Sequence, residues 1–281
     1  GNNSIGNAAG GVIINFGASD NIIGPKNLIS GNSEYGIHVG DPSTSGNKII
    51  GNLIGTTADG ITGLGNATHG VWMNASNNII GGTTEEERNV ISDNGYVGVE
   101  IGSENVTGNV IKGNYLGTDI TGNGSLLNGA ADLRLNNSSF SIVGGLEPGA
   151  RNVIGSLDIV NEGAHNNQVI GNYIGLRADG TGPINSEAVR SGILISDASD
   201  NVIGPGNVIS GVEEGIWITE YFGVPEVITT NNRIIGNYIG TNADGSQAVS
   251  NRVGIHIDDV QEITVGGSIE SERNIISGND I

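Results

Sequence analysis

Cysteine is absent from this sequence of 281 residues, and the whole chain contains only 11 lysines and arginines. The lack of cysteine excludes disulfide bonds and thiol chemistry, although it does not identify a cellular compartment. Aromatic residues make up only 4% of the chain, so an ordinary globular core built around large rings is not expected. No apolar run is long enough to span a bilayer, and membrane insertion is therefore not expected.

Positive charge is outweighed by acidic residues, and the formal net charge is −19. This balance disfavours nucleic acid as a partner, because its phosphates need lysine and arginine, and it disfavours anionic membranes. It suits a soluble surface that repels its own copies, a saline or extracellular setting, or the binding of cations.

Glycine, asparagine and β-branched aliphatic residues are abundant, and they recur in an internal repeat. The phrase KIIGNLIGTTADG begins at Lys48, and related phrases begin at Val110, Val169 and Arg233. A shorter phrase such as NVIS lies between these copies, and a segment of the type G-I-x-I follows nearly every phrase. The repeating unit of about sixty residues is therefore two coils, each with three short β-type segments.

An asparagine opens the second segment of every coil, and an aliphatic residue follows two positions later. These asparagines are Asn3, Asn27, Asn52, Asn89, Asn114, Asn152, Asn172, Asn207, Asn237 and Asn274. Asparagine tolerates the left-handed backbone of a tight corner, and its amide can bond the amides above and below when coils stack. The pattern predicts an all-β fold, a parallel β-helix of about ten coils with three short sheets and an asparagine ladder.

These motifs, which extend from Asn3 to Asn279, resemble the right-handed parallel β-helix repeats of the pectate-lyase-like superfamily. The likeness is greatest to the NxIxGNYIGTxADG, GIxI and RNVISGN repeats of large bacterial and archaeal secreted or surface proteins. The resemblance implies a single β-helix domain over residues 1–281, expected to be a segment of a longer protein, with an extracellular or cell-surface location. The superfamily includes lyases, hydrolases, epimerases, adhesins and structural rods, so it leaves the activity open.

The resemblance also implies where a site would lie. Enzymes of the superfamily carry their active residues on the outer face of the sheet that the G-I-x-I segments form here, which points to the x position. Along the rod these positions hold Ile13, His38, Trp72, Glu100, Arg134, Asp158, Leu194, Trp217 and His256. Both tryptophans of the chain are in this row, and a tryptophan kept at a surface is typical of a binding site.

The centre of the row provides the catalytic candidates Glu100, Arg134 and Asp158, which are expected on successive rungs about 5 Å apart. The candidate ligand-binding residues flank them and are Trp72, Trp217, His38 and His256. One interpretation is a ladder of charges on a solvated face. The other is a polar centre between aromatic platforms, suited to a sugar chain. The loop before Asp158 is nearly absent, so this residue is expected in a notch between two longer loops.

The long loops carry Asp59, Asp119, Asp179 and Asp244, mostly in the phrase A-D-G. Stacked on every second rung, these carboxylates could line up about 10 Å apart. Calcium takes about six to eight oxygens, and one carboxylate per loop is few, so a D-G turn is the simpler interpretation. We expect no cofactor, with Ca²⁺ at Asp59, Asp179 and Asp244 as the alternative.

Tyr115, Tyr173 and Tyr238, with Leu53, follow the ladder asparagine in the long coils and should point outward. The long loop begins two residues later, and we expect it to fold back over them; an exposed aromatic strip is the alternative.

Familiar enzyme signatures are missing: the sequence contains no G-x-S-x-G, H-E-x-x-H or P-loop, no G-H-G of the galacturonase type and no D-P-H of alginate epimerases. The leading hypothesis is a non-catalytic β-helix with a structural, filament-like or sheath-like, or adhesive and glycan-binding role. The alternative is a polysaccharide lyase, hydrolase or epimerase with its site on the outer face of the G-I-x-I sheet. The expected partners are a polysaccharide, or neighbouring copies stacked end to end.

Overall fold

The computed structural model of the protein describes residues 5–184, 191–220 and 229–281. Within these ranges each coil contributes one strand to each of three nine-stranded sheets, and the strands of every ladder run parallel. The fold is thus the predicted right-handed parallel β-helix, in which each strand pairs with the coil before and the coil after. The predicted ladder position Asn3 lies outside the described residues.

The strand bounds follow the repeat. The first sheet, which contains the G-I-x-I segments, consists of Val12–Ile14, Ile37–Val39, Val71–Met73, Val97–Thr107, Ala131–Ser139, Leu157–Val160, Ser191–Ser196, Glu214–Thr219 and Val253–Ile257. The second consists of Ile22–Ile23, Lys48–Ile49, Ile79–Gly81, Val110–Lys112, Ile142–Gly144, Gln168–Ile170, Val202–Ile203, Arg233–Ile234 and Thr264–Val265. The third consists of Leu28–Ile29, Leu53–Ile54, Val90–Ile91, Tyr115–Leu116, Val153–Ile154, Tyr173–Ile174, Val208–Ile209, Tyr238–Ile239 and Ile275–Ile276. The 3₁₀-helices Glu85–Glu87 and Glu270–Glu272 precede two strands of the third sheet.

The core is a stack of aliphatic side chains along the axis of the rod. In the third sheet, Ile54, Ile91 and Ile154 occupy the second strand position on different rungs, and all three are fully buried. Burial of each such side chain stabilises the fold by about 1.5–3 kcal/mol. The strands are short and β-branched because each needs to present only one or two residues to this narrow core.

The predicted asparagine ladder runs without interruption from Asn27 to Asn274. The Nδ2 of each asparagine donates to the Oδ1 of the next, at 2.9 to 3.2 Å. The expected reason for asparagine is wrong in one respect, because none of the ladder asparagines from Asn27 to Asn274 has a left-handed backbone. In the long coils the left-handed residue is the glycine before it, such as Gly171 with φ 70° before Asn172. Asparagine is therefore required for its amide alone.

Two further corners carry asparagine ladders that the sequence analysis did not predict. One runs before the second sheet, and its side-chain bonds include Asn21 to Asn47 and Asn201 to Asn232. The other runs before the first sheet, from Asn7 through successive coils to Asn128. Stacked amides thus form hydrogen bonds between coils at all three corners.

Asp132 takes the next place in the ladder before the first sheet, where the following coil has almost no loop and no asparagine. Its Oδ1 accepts from Nδ2 of Asn128 at 2.8 Å, and its Oδ2 accepts from the backbone N–H of Ser156 at 2.9 Å. Complete burial raises the pKa of Asp132 to about 6, in opposition to these hydrogen bonds. The rod therefore contains a buried carboxyl group that titrates near neutral pH.

The long loops cover part of the outer face of the third sheet, as expected. Tyr173 is 8% exposed and packs in a second apolar cluster with Leu176, Ile184 and Val249 from the loops. Successive long loops also stack, since the backbone N–H of Ala178 donates to the carbonyl of Gly122 at 3.0 Å.

Candidate functional site

The first sheet brings the predicted row into one continuous line. The aligned positions are Ile13, His38, Trp72, Glu100, Arg134, Asp158, Leu194, Trp217 and His256. The residues on either side of each position point to the core, so the row faces outward. Most of its side chains are half-buried, because they lie against their neighbours on adjacent rungs.

Four rings form the aromatic end of the row. Trp72 stacks with His38 at a centroid distance of 4.6 Å and with His69 at 5.5 Å. Tyr35 is tilted against His38 at 5.3 Å and lies 6.3 Å from Trp72. The result is a surface of flat rings with ring nitrogens among them.

The histidines of this surface differ in their partners. The Nε2 of His69 lies 3.2 Å from Oε2 of Glu100, and Nδ2 of Asn136 donates to Oε1 of Glu100 at 3.0 Å. Burial opposes the charge of Glu100, but these hydrogen bonds outweigh it and leave its pKa lowered. Burial, and then the charge of His69, lower the pKa of His38. At neutral pH Glu100 is therefore ionised and His38 is neutral, so His38 can accept a proton.

The predicted acid–base–acid succession is present, and its central charge is paired. Nε and Nη2 of Arg134 donate to Oδ2 of Asp158 at 3.1 and 2.8 Å, and Nη1 donates to the Tyr96 hydroxyl at 2.8 Å. Burial disfavours the charge of Arg134, yet Asp158 and Tyr96 raise its pKa. Burial raises the pKa of Asp158 in spite of Arg134. The side chain of Asp158 is 16% exposed, so it lies against Arg134 beneath the surface.

A second aromatic group lies further along the row. Trp217 stacks with His256 at 6.0 Å, and Nδ1 of His256 lies 3.0 Å from Oε1 of the buried Glu214. A tryptophan, a histidine and a glutamate therefore come together twice on this face. Trp72 and Trp217 are five rungs apart, which corresponds to about 24 Å.

The residues that join the row from the side were not predicted from the repeat. Tyr35 and His69 stand directly before the glycine that opens a first-sheet strand, in YGIHV and HGVWM. Tyr96 directly precedes the strand Val97–Thr107, which contains Glu100, and Asn136 lies two residues after Arg134 in the next strand of the first sheet. The signal was a ring before the glycine, which occurs in two of the four coils that carry a ring at the x position.

The loop aspartates that were the candidate calcium ligands close their own turns. Asp179 accepts from the backbone N–H of Thr181 at 2.9 Å, and Asp244 accepts from that of Ser246 at 3.0 Å. Asp59 accepts from the backbone N–H of Ile61 at 3.1 Å. These bonds, together with those from neighbouring hydroxyl groups, lower the pKa of each carboxyl group. Within the described ranges no three histidine, aspartate or glutamate side chains converge as metal ligands.

No family model matches the sequence, and no curated protein sequence is significantly similar to it. A point mutant of the periplasmic alginate epimerase AlgG is similar in structure, with 14% identity and a TM-score of 0.43 over 90% of this chain and 49% of that one. The A-module of the Azotobacter vinelandii mannuronan C-5 epimerase AlgE4 gives 14% identity and a TM-score of 0.43, over 90% of this chain and 63% of that one. The chain thus spans about half of AlgG and less than two thirds of this A-module.

At these identities and TM-scores the likeness carries no argument about activity, and the assignment of the fold rests on the strand pairing of this chain. The finer resemblance to repeats of large surface proteins stays a prediction. Among the described residues, no helix has the length and apolar character needed to cross a membrane.

Proposed function

We propose that this chain binds a polysaccharide along the outer face of the first sheet and acts on it chemically. The observation that carries the proposal is the contact of Trp72 with two imidazole rings, of which His69 is bonded to Glu100. Flat amphipathic rings suit the apolar face of a sugar. Groups that accept or donate protons lie directly beside them.

The dimensions of the row favour an extended ligand. Trp72 and Trp217 are about 24 Å apart along the rod, a length that accommodates several sugar units. Each tryptophan has a histidine stacked on it. Two ring platforms on one straight face support a chain of sugars as the ligand more than a single sugar.

The chemistry that fits best is proton transfer at a sugar carbon, as in lyases and epimerases. Because Glu100 is ionised, it can accept a hydrogen bond from Nε2–H of His69, and in that neutral tautomer Nδ1 is the acceptor nitrogen of the ring. His38 is neutral at neutral pH and is the alternative base. Either imidazole could remove a proton from carbon next to a carboxylate, the step that begins both reactions.

Hydrolysis fits less well. Glu100 and Asp158 are two rungs apart, about 10 Å, and the pKa of one carboxyl group is lowered and that of the other raised, as in an acid–base pair. However, Asp158 accepts two hydrogen bonds from Arg134, and a carboxylate held in this way is a poor proton donor.

A second candidate function is glycan binding without turnover. The observation that favours it is the pairing of the central charges with one another, Glu100 with His69 and Arg134 with Asp158. Paired charges can order a surface without taking part in a reaction. Both functions agree with the predicted extracellular or cell-surface location, where polysaccharides are found.

The experiment is a screen of polyuronates and neutral polysaccharides for binding, unsaturated uronates, epimerised units and new reducing ends. We expect Trp72→Ala to lose binding, and His69→Ala to bind normally but lose turnover. Lys48→Ala, exposed on the second sheet, is the control and should behave as the unchanged chain. Binding without turnover would favour the second candidate, and the absence of binding to any polysaccharide would contradict both.

A further inference from the structure

A groove of ≈590 Å³ lies on the outer face of the third sheet, away from the row described above. Its apolar lining includes Leu28, Leu53, Val90 and Ile120. Its charged lining consists of Lys26, Arg88, Glu85 and Glu86. The volume lies within the range of small-molecule sites, about 300–1,000 Å³.

The repeat shows what occupies the equivalent place in other coils. Tyr115 and Tyr173 hold the position of Leu53 in the next two long coils. The guanidinium of Arg88 lies 4.4 Å from the ring centroid of Tyr115, and that of Arg151 lies 4.0 Å from the ring of Tyr173. A ring against a cation therefore fills this part of the rod in two of the three later long coils.

At Leu53 the cation is present and the ring is not. Lys26 precedes Asn27 just as Arg88 precedes Asn89, so Lys26 stands where a cation meets the ring in the other coils. Ile120 replaces the alanine found in later loops and packs against Gly60. This larger side chain fills part of the space that the missing tyrosine leaves, and the groove is what remains.

We propose that this groove binds a neutral, electron-rich aromatic ring of a small molecule, with a phenol as the simplest example. Lys26 and Arg88 attract the face of such a ring. Two glutamates balance these two cations, so the lining does not select a charged guest.

The test uses p-cresol, the analogue of the tyrosine side chain, with the full chain and NMR detection of methyl groups. We expect millimolar binding that shifts the methyl signals of Leu28, Leu53 and Ile120. Leu53→Tyr fills the groove with the chain's own ring and should weaken p-cresol binding by about tenfold or more. The control Ile142→Tyr adds the same ring at an exposed position on the second sheet and should leave binding unchanged.

The proposal would be overturned by no binding, by binding that shifts methyl groups elsewhere, or by equal binding to the unchanged chain and to Leu53→Tyr. If Leu53→Tyr does not fold, Arg88→Ala provides the comparison and should weaken binding several-fold. Shifts of the same methyl groups that depend only on protein concentration would make the groove a contact between copies and would also refute the proposal. The site does not depend on the function proposed for the first sheet.

Discussion

Replacement of Asn172 by alanine removes one buried amide from the middle of the predicted ladder. Its Oδ1 accepts from the backbone N–H of Asn152 at 3.2 Å and from Nδ2 of Asn152 at 2.9 Å. Its Nδ2 donates to Oδ1 of Asn207 at 3.2 Å and to the carbonyl of Val143 at 3.0 Å. In the variant, Nδ2 of Asn152 keeps its bond to Ile111, whereas its backbone N–H loses its acceptor. One orphaned buried donor costs about 1–3 kcal/mol, and the lost amide contacts add roughly 1 kcal/mol.

The free energy of unfolding should therefore fall by about 2–4 kcal/mol, measured from the midpoint and slope of urea unfolding. Asn27→Ala is the matched control, because Asn27 is exposed at the first described rung of the same ladder and donates to Asn52 at 3.0 Å. It should cost less than about 1 kcal/mol. Equal losses in the two variants would refute the reasoning that burial makes each amide essential.

Three other predictions concern the buried carboxyl group, the central ion pair and the covered tyrosine. Because the pKa of Asp132 is raised from 3.8 to about 6, its contribution to stability is present below pH 3.8 and is lost as the pH rises through 6. The full loss is about 3 kcal/mol, and about 2 kcal/mol of it falls between pH 4 and pH 7. The difference in unfolding free energy between Asp132→Asn and the unchanged chain should vary by this smaller amount over that range, and a constant difference would contradict the assignment. Arg134→Ala should cost about 1–2 kcal/mol, because it leaves Asp158 half-buried and unpaired; the same loss in Lys48→Ala would show that the pair is unimportant. Tyr173→Leu should cost about 2–3 kcal/mol in urea unfolding through lost ring packing, and a loss below 0.5 kcal/mol would mean that the long loop adapts to the smaller side chain.

The strand register and the first ladder could be predicted because equivalent residues recur at the same positions of each coil. Once Asn52, Asn114 and Asn172 are aligned, every other residue of the phrase falls on an equivalent rung. The alternation of a three-residue strand then places Trp72 and Arg134 on the outer face. The position of a residue within its coil could therefore be predicted from the sequence without knowledge of any contact.

The side-chain contacts between coils could not be predicted from the sequence in the same way. His69 contacts Glu100 from a turn whose length varies between coils. The position of His69 in the repeat therefore does not predict this hydrogen bond. The role of Asp132 depends on an asparagine that the following coil lacks, so a single coil does not reveal it. The repeat aligns Leu53 with the tyrosines of later coils, but the groove beside it also depends on how Lys26, Arg88 and Ile120 from other coils pack around that position.

The proposed polysaccharide face can be tested through tryptophan fluorescence, because both tryptophans of the chain belong to the row. The chain should be titrated with oligosaccharides of increasing length from each polysaccharide that binds. We predict a saturable change in emission, with affinity that rises with length until the ligand spans the roughly 24 Å between Trp72 and Trp217. The change should be reduced in Trp72→Phe and in Trp217→Phe. Polysaccharide binding that leaves the emission of both tryptophans unaltered would contradict the assignment of this face as the site.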